Sequence, residues 1–272
     1  MSDMHKCIKG VLKASKMSKK TILVTGSTGA IGLSISEFFY KKGWNVIING
    51  KTTTKHLSLI KKNFSKLRSI YFNCDLTKTA NIKKIVKQSL KKFKKIDVLI
   101  NCAGIQYVES LEKYPEKIWR NMVDINLTTP FLFTKELLPI MRKNKWGRIV
   151  NIASTHGLIG SVKKSAYTAT KHGLVGLTKV TALETAKENI TCNAICPGFV
   201  LTKLIQDQID FVAKEKKISN SKAEIELLRE KQPSLKFVKK NQIAELAFYL
   251  CSNTASEITG SSLSIDGSWT AQ

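Results

Sequence analysis

Tyr167 and Lys171 lie four residues apart in a stretch with helical periodicity, so both project from one face of a helix. A free phenol has a pKa of ~10 and is a poor base at neutral pH. An ammonium one turn away favours the phenolate, so the pair can take a proton from an alcohol or return one to a carbonyl. Alone, this spacing is common and has an ordinary structural reading. Here it has company. Ser154 closes an apolar run upstream of Tyr167, where a hydroxyl can hold a substrate oxygen. Asn126 sits within Asp124-Ile125-Asn126-Leu127, a helical stretch in which a side-chain amide is poorly favoured.

A second kind of chemistry is written near the start of the chain. Gly26-Ser27-Thr28-Gly29-Ala30-Ile31-Gly32 follows the β-rich run Thr21–Thr25 and opens a helix-period segment, Ile31 to Lys42. Glycines permit a tight turn, and the bare N–H groups of a helix N-terminus suit a dinucleotide pyrophosphate. A positively charged oxidised nicotinamide beside Tyr167 would add to the pull of Lys171 on its proton.

These residues need elements to position them. Further β-rich runs are Asn45–Ile48, Ser69–Cys74, Asp97–Asn101, Arg148–Ile152, Thr191–Ile195 and Ser262–Ile265. Amphipathic stretches lie between them: Ile82–Phe93, Trp119–Met141, Ala166–Glu188 and Gln242–Cys251. Strands alternating with helices predict an α/β fold, a doubly wound parallel sheet of about seven strands of Rossmann type, as a single domain over residues 20–272. Residues 201–238 break the alternation. A long charged helical insertion after a strand's C-terminal end lies over the ligand crevice and reads as a helical substrate lid.

Lys and Arg number 45 against 20 acids, a formal charge of +25. That balance fits a nucleic-acid binder, or a surface on which Lys has replaced other polar residues. Lys far outnumbers Arg and is spread over nearly every expected helix, which favours the solvated surface and no nucleic-acid partner. No apolar run approaches the ~18 residues needed to cross a bilayer, so no membrane association is expected. Cys7, Cys74, Cys102, Cys192, Cys196 and Cys251 form no CxxC pair and have no His cluster beside them, so no metal site is expected. Isolated thiols suit a cytoplasmic protein. Residues 1–19 read as a dispensable basic extension, because Met17-Ser18-Lys19-Lys20 would itself make a start before the first strand. A targeting presequence is the other reading, though it would favour Arg.

Together these motifs resemble the short-chain dehydrogenase/reductase family over roughly residues 20–272. In family order stand Asn126, Ser154, Tyr167 and Lys171, after a glycine turn in which Ala30 replaces the middle glycine. The resemblance implies those four as the catalytic set, with Asn126 linking Lys171 to solvent through water. It implies cofactor contacts at Gly26, Thr28, Ala30, Ile31, Gly32, Asp75, Leu76, Asn101, Ala103, Gly104, Tyr167, Lys171, Pro197, Gly198, Val200 and Thr202. Asp75 and Leu76 would meet the adenine, and the Pro197–Thr202 turn the nicotinamide. Cys102 departs from the family's usual Asn.

Local wording is narrower. Gly104-Ile105-Gln106, Ala153–Leu158, Lys163–Tyr167, Lys231-Gln232-Pro233-Ser234 and Asp266–Gln272 resemble bacterial D-3-hydroxybutyrate dehydrogenases. That implies an NAD-dependent homotetramer interconverting D-3-hydroxybutyrate and acetoacetate, a small hydroxy acid and its keto acid. Gln106, His156, Lys164 and Gln208 would bind the carboxylate, with Ser154 and Tyr167 at the reacting oxygen. Phe199 stands where that group often has Trp. Singly, His156 could cap a loop and Lys164 could be one more surface lysine.

Two rivals remain. A 3-oxoacyl carrier-protein reductase has an acidic partner that would suit the basic surface, but its thioester offers no carboxylate to His156, Lys164 and Gln208. A non-catalytic nucleic-acid-binding relative has no use for the intact catalytic set. Cofactor choice is also divided. Asn49-Gly50-Lys51-Thr52 carries no acid for a ribose hydroxyl, and Lys51 would attract a 2′-phosphate. Lys is a flexible point charge, however, and beyond it only the Thr52-Thr53-Thr54 hydroxyls stand near. The expectation is NAD with weakened discrimination.

Overall fold

A computed structural model describes residues 19–51, 58, 60, 62–229 and 231–271. The readings of residues 1–18 and of the Thr52-Thr53-Thr54 hydroxyls lie outside the described residues.

Seven strands form one sheet: β1 (Thr21–Val24), β2 (Asn45–Asn49), β3 (Ser69–Phe72), β4 (Val98–Asn101), β5 (Gly147–Ile152), β6 (Ile190–Pro197) and β7 (Ser262–Ile265). Their order is β3-β2-β1-β4-β5-β6-β7, and every adjacent pair is parallel. The strands are apolar runs because both faces are covered. Ile22, Val24, Val46, Ile48, Val98 and Ile100 pack on one face against α1 (Ala30–Lys41) and the last long helix, α8 (Lys240–Leu250). The alternate residues Leu23, Ile47, Leu99 and Ile149 pack on the other, against α2 (Thr79–Phe93) and α4 (Thr129–Lys143). In α2 the buried residues Ile82, Ile85, Val86 and Ser89 follow helical spacing, leaving the lysines outside. The doubly wound sheet follows: from β1 the strands are added first on one side (β2, β3) and then on the other (β4 to β7), so the winding reverses between β1 and β4. A crevice opens there at the strands' C-terminal ends.

One expected helix is divided. Residues 119–141 read as continuous, but α3 (Glu116–Val123) and α4 are separated by a π-helical turn, Asp124–Thr128. Pro130 has no N–H to give the carbonyl four residues back, that of Asn126, so the regular ladder cannot pass through.

α5 (Ser165–Glu184) follows β5 and packs Leu174 and Val175 against Ala194 and Cys196 of β6. The insertion after β6 forms α6 (Lys203–Lys216) and α7 (Asn220–Arg229). A bridge between Val200 and Val238 pinches its base. Ile205, Ile209, Ala213, Ala223 and Leu228 form a small core of their own that also takes in Phe199 and Trp269.

Candidate active site

The crevice is a cavity of about 570 Å³ at the C-terminal edge of the sheet. Of the residues expected to bind cofactor or substrate, all but Asn101 line it, as do Ser154, Tyr167 and Lys171; Asn126 stands just behind. Asn101 is turned into the sheet, where its amide nitrogen donates to Asn151 Oδ1 at 2.8 Å. Its side chain braces β4 on β5.

The glycine turn is shaped by contacts no side chain would tolerate. Gly26 has φ +64, and a Cβ there would lie 2.7 Å from Ala103 Cα. A Cβ on Gly32 would meet the Gly26 carbonyl oxygen at 2.5 Å, so α1 starts pressed onto the turn. Gly29 is the helix N-cap and Ala30 its first residue, so the exchanged positions fall where an Ala already has helical geometry. No side chain caps this N-terminus. Bare N–H groups, close backbone and a wide opening fit a dinucleotide pyrophosphate. Thr25, which the sequence reading did not single out, brackets this turn to the next. Its hydroxyl oxygen accepts the N–H groups of Cys102 and Ala103, each at 3.0 Å.

At the adenosine end, Lys51 Nζ reaches Asp75 Oδ2 at 2.7 Å. That ammonium, with the Thr77 N–H and hydroxyl on Oδ1, holds the Asp75 carboxyl down at about 2. Lys51 is thus not an unpaired cation.

At the other end, α5 brings Tyr167 and Lys171 beneath the Thr155–Gly157 turn. A Cβ on Gly157 would stand 3.0 Å from the Lys171 carbonyl oxygen, so glycine eases this close approach. Lys171 Nζ donates to the Ile152 carbonyl at 2.7 Å and lies 5.6 Å from the Tyr167 ring centre. Asn126, 1% exposed, accepts the Ile105 N–H at 2.9 Å and donates to Ile105 O and Thr170 Oγ1. Gly104 lies between the two, since its Cβ would be 3.5 Å from Asn126 Oδ1 and 3.7 Å from Lys171 Nζ.

The electrostatics differ from the simplest expectation. Burial pushes the Tyr167 phenol above its ordinary value, opposed by a hydrogen bond from the Ser154 side chain. Burial also lowers Lys171 to about 8, against the opposite influence of the Cys102 and Cys196 thiols. In the protein's own field, desolvation outweighs the expected help of Lys171 to the phenolate. Cys102 is pushed up to about 12 by burial and is a neutral filler.

Around Ser154 lie the expected carboxylate ligands. The Ser154 hydroxyl and His156 Nδ1 are 3.3 Å apart, while His156 Nε2 is buried with no partner among the described residues. Burial, then Lys164 and Lys231, hold His156 down at about 3, so it is a neutral hydrogen-bonding group. Gln106 Nε2 is likewise buried and unpartnered. Lys164, 9% exposed, is lowered to about 8 by burial and then by Lys231. Gln208 of α6 faces the same space, as do Phe199 and Trp269, whose ring centres are 5.0 Å apart. Trp269 was missed as a wall residue. Its signal was an aromatic just past the last strand's Asp266-Gly267 turn.

Residues 20–212 match the family model described as short chain dehydrogenase. The chain belongs to the short-chain dehydrogenase family and is an oxidoreductase, in a family that works with a nicotinamide cofactor. It is 44% identical over 257 residues to a D-beta-hydroxybutyrate dehydrogenase of Cupriavidus necator, covering 94% of this chain and 100% of the relative. Identity to the enzyme of that name from Rhizobium meliloti is 40% over 256 residues, covering 93% of this chain and 99% of the relative. Among solved structures, an actinorhodin polyketide ketoreductase with NADPH superposes with a TM-score of 0.85 at 30% identity, covering 93% of this chain and 98% of that one. Among the described residues, no helix is long and apolar enough to cross a membrane.

Proposed function

We propose that this chain interconverts D-3-hydroxybutyrate and acetoacetate, with NAD as cofactor and Tyr167 as acid/base. The observation that carries the substrate half is the set of unsatisfied donors beside Ser154. Gln106 Nε2 and His156 Nε2 are buried without partners. Lys164 is nearly buried and has no carboxylate partner among the described residues. Buried donors left unpaired are costly, and a small carboxylate beside the reacting carbon supplies the missing acceptors. Gln208 closes the set from the lid. The likeness to two hydroxybutyrate dehydrogenases supports the same reading.

Gly26, Thr28, Ala30, Ile31 and Gly32 would hold the pyrophosphate, Asp75 and Leu76 the adenine, and Ala103, Gly104, Pro197, Gly198, Val200 and Thr202 the nicotinamide half. NAD would supply a hydride acceptor and a positive charge near the phenol. In oxidation Tyr167 takes the proton of the substrate hydroxyl while Ser154 steadies that oxygen. Lys171, fixed on the Ile152 carbonyl, stabilises the phenolate. Asn126 holds the Ile105 backbone across Gly104 from Lys171, and a water beside Lys171 would return the proton. NAD is favoured over NADP because the Lys51 charge is already engaged by Asp75, which weakens its hold on a 2′-phosphate. The bridge is exposed and therefore weak, so discrimination should be modest.

The carrier-protein reductase rival would present a thioester where these donors want an anion. Reduction of acetoacetate and of an acetoacetyl thioester should be compared on the same preparation. We expect kcat/KM to favour the acid; a preference for the thioester would overturn the substrate assignment.

A further inference from the structure

We infer that Lys231 is a further specificity-determining residue, a second lysine charge that makes the pocket prefer anionic to neutral ligands. The inference rests on reading the space beside Ser154 as a carboxylate site.

Lys231 follows α7 at the base of the insertion. Its Nζ stands 6.0 Å from the Phe199 ring centre and 5.9 Å from that of Trp269. These rings form the pocket's apolar wall, and Trp269 in turn meets the His156 ring edge-on, 5.4 Å between centres. The ammonium therefore rests against the aromatic wall that lines the pocket with His156 and Gln106. It has no ion-pair partner among the described residues. Its field reaches inward, because Lys231 contributes to lowering both His156 and Lys164.

The position is built rather than incidental. The next residue, Gln232, is fully buried and wedged between two turns of the site. Its side-chain oxygen accepts the Phe199 N–H at 2.9 Å, and its amide nitrogen donates to the Lys236 carbonyl. A Cβ on Gly198 would lie 2.5 Å from that same oxygen, and one on Gly267 2.9 Å from Gln232 Cγ. The backbone N–H groups of Lys231 and Gln232 both donate to Leu228 O, at 3.0 and 2.7 Å. The lysine is thus anchored to the turn that carries Phe199. The nearby buried acid, Asp266, is engaged by the Thr270 N–H and hydroxyl, so the repulsion between Lys231 and Lys164 would be relieved when an anionic ligand enters the pocket.

The test reads charge preference separately from turnover. Affinities of the NAD-loaded enzyme for acetoacetate and for neutral methyl acetoacetate would be measured by calorimetry, for wild type, Lys231→Met, Lys231→Gln and Lys231→Arg. The Met and Gln variants should lose about tenfold in the anion-to-ester affinity ratio, while Arg keeps it within about threefold. An unchanged ratio in both neutral variants overturns the inference, as does an equal weakening of both ligands, which would mark a structural role. A wild type without anion preference overturns the pocket and this inference together. Failure of the wild type to turn over 3-hydroxybutyrate, with the ratios behaving as expected, would remove only the substrate assignment and leave Lys231 standing.

Discussion

At the scale of single residues, burial moves the two members of the proposed acid/base pair in opposite directions. The Tyr167 phenol is raised and the Lys171 ammonium lowered, both chiefly by desolvation. On the proposed mechanism a positive charge near the phenol would complete its activation, which would tie proton transfer to the oxidised cofactor. Tyr167→Phe removes only the transferring hydroxyl. We expect turnover to fall at least a hundredfold, with cofactor affinity within about twofold of wild type by fluorescence titration. A variant keeping a tenth of the activity contradicts the assignment. Lys164 gives a pH prediction. Its folded value of about 8 lies below the ordinary lysine value, so its charge is present below pH 8 and lost above it. Acetoacetate affinity should thus weaken as pH rises through about 8 and be flat below it, and Lys164→Met should abolish that dependence. The proposed catalytic residues were legible because they occur in a fixed order at fixed spacing. Lys231 was not: it is one lysine among many, and it meets Phe199 and Trp269 only once the insertion folds back.

At the scale of elements, the sheet was readable because its buried strands are continuous apolar runs bounded by turn residues. The π-helical turn was hidden, since Asn126 and Pro130 look like a tolerable interruption of one amphipathic helix. Its effect is local but useful: it buries Asn126 against the Ile105 backbone, in line with Gly104 and Lys171. The glycine turn offers a contrast between two similar substitutions. Gly26→Ala meets both a positive φ and backbone at 2.7 Å. We expect at least a tenfold loss of cofactor affinity, in keeping with strain of about 1–3 kcal/mol before the clash is counted. Gly29→Ala meets nothing nearer than 3.4 Å and has extended backbone. It should bind cofactor within about threefold of wild type. Equal losses in the two variants would show that the turn is not shaped by close backbone approach.

For the whole molecule, the formal charge is +25, and some large apolar side chains are exposed on helices. Phe131 of α4 and Val180 and Leu183 of α5 are 46%, 52% and 78% exposed. We expect these faces to be covered in a homotetramer, to be checked by light scattering of the purified protein; a monomer at micromolar concentration would contradict this. The net charge could be counted from the sequence, but this exposure could not, because which helix faces point outward depends on the order of strands in the sheet. The account as a whole depends on one reaction at one pocket. Its most direct test is the appearance of NADH when the enzyme is given NAD with D- or L-3-hydroxybutyrate, repeated with NADP. The account predicts turnover of the D-enantiomer, none or little of the L-form, and a higher kcat/KM with NAD. No reduction with either enantiomer, or preference for the L-form, would contradict it.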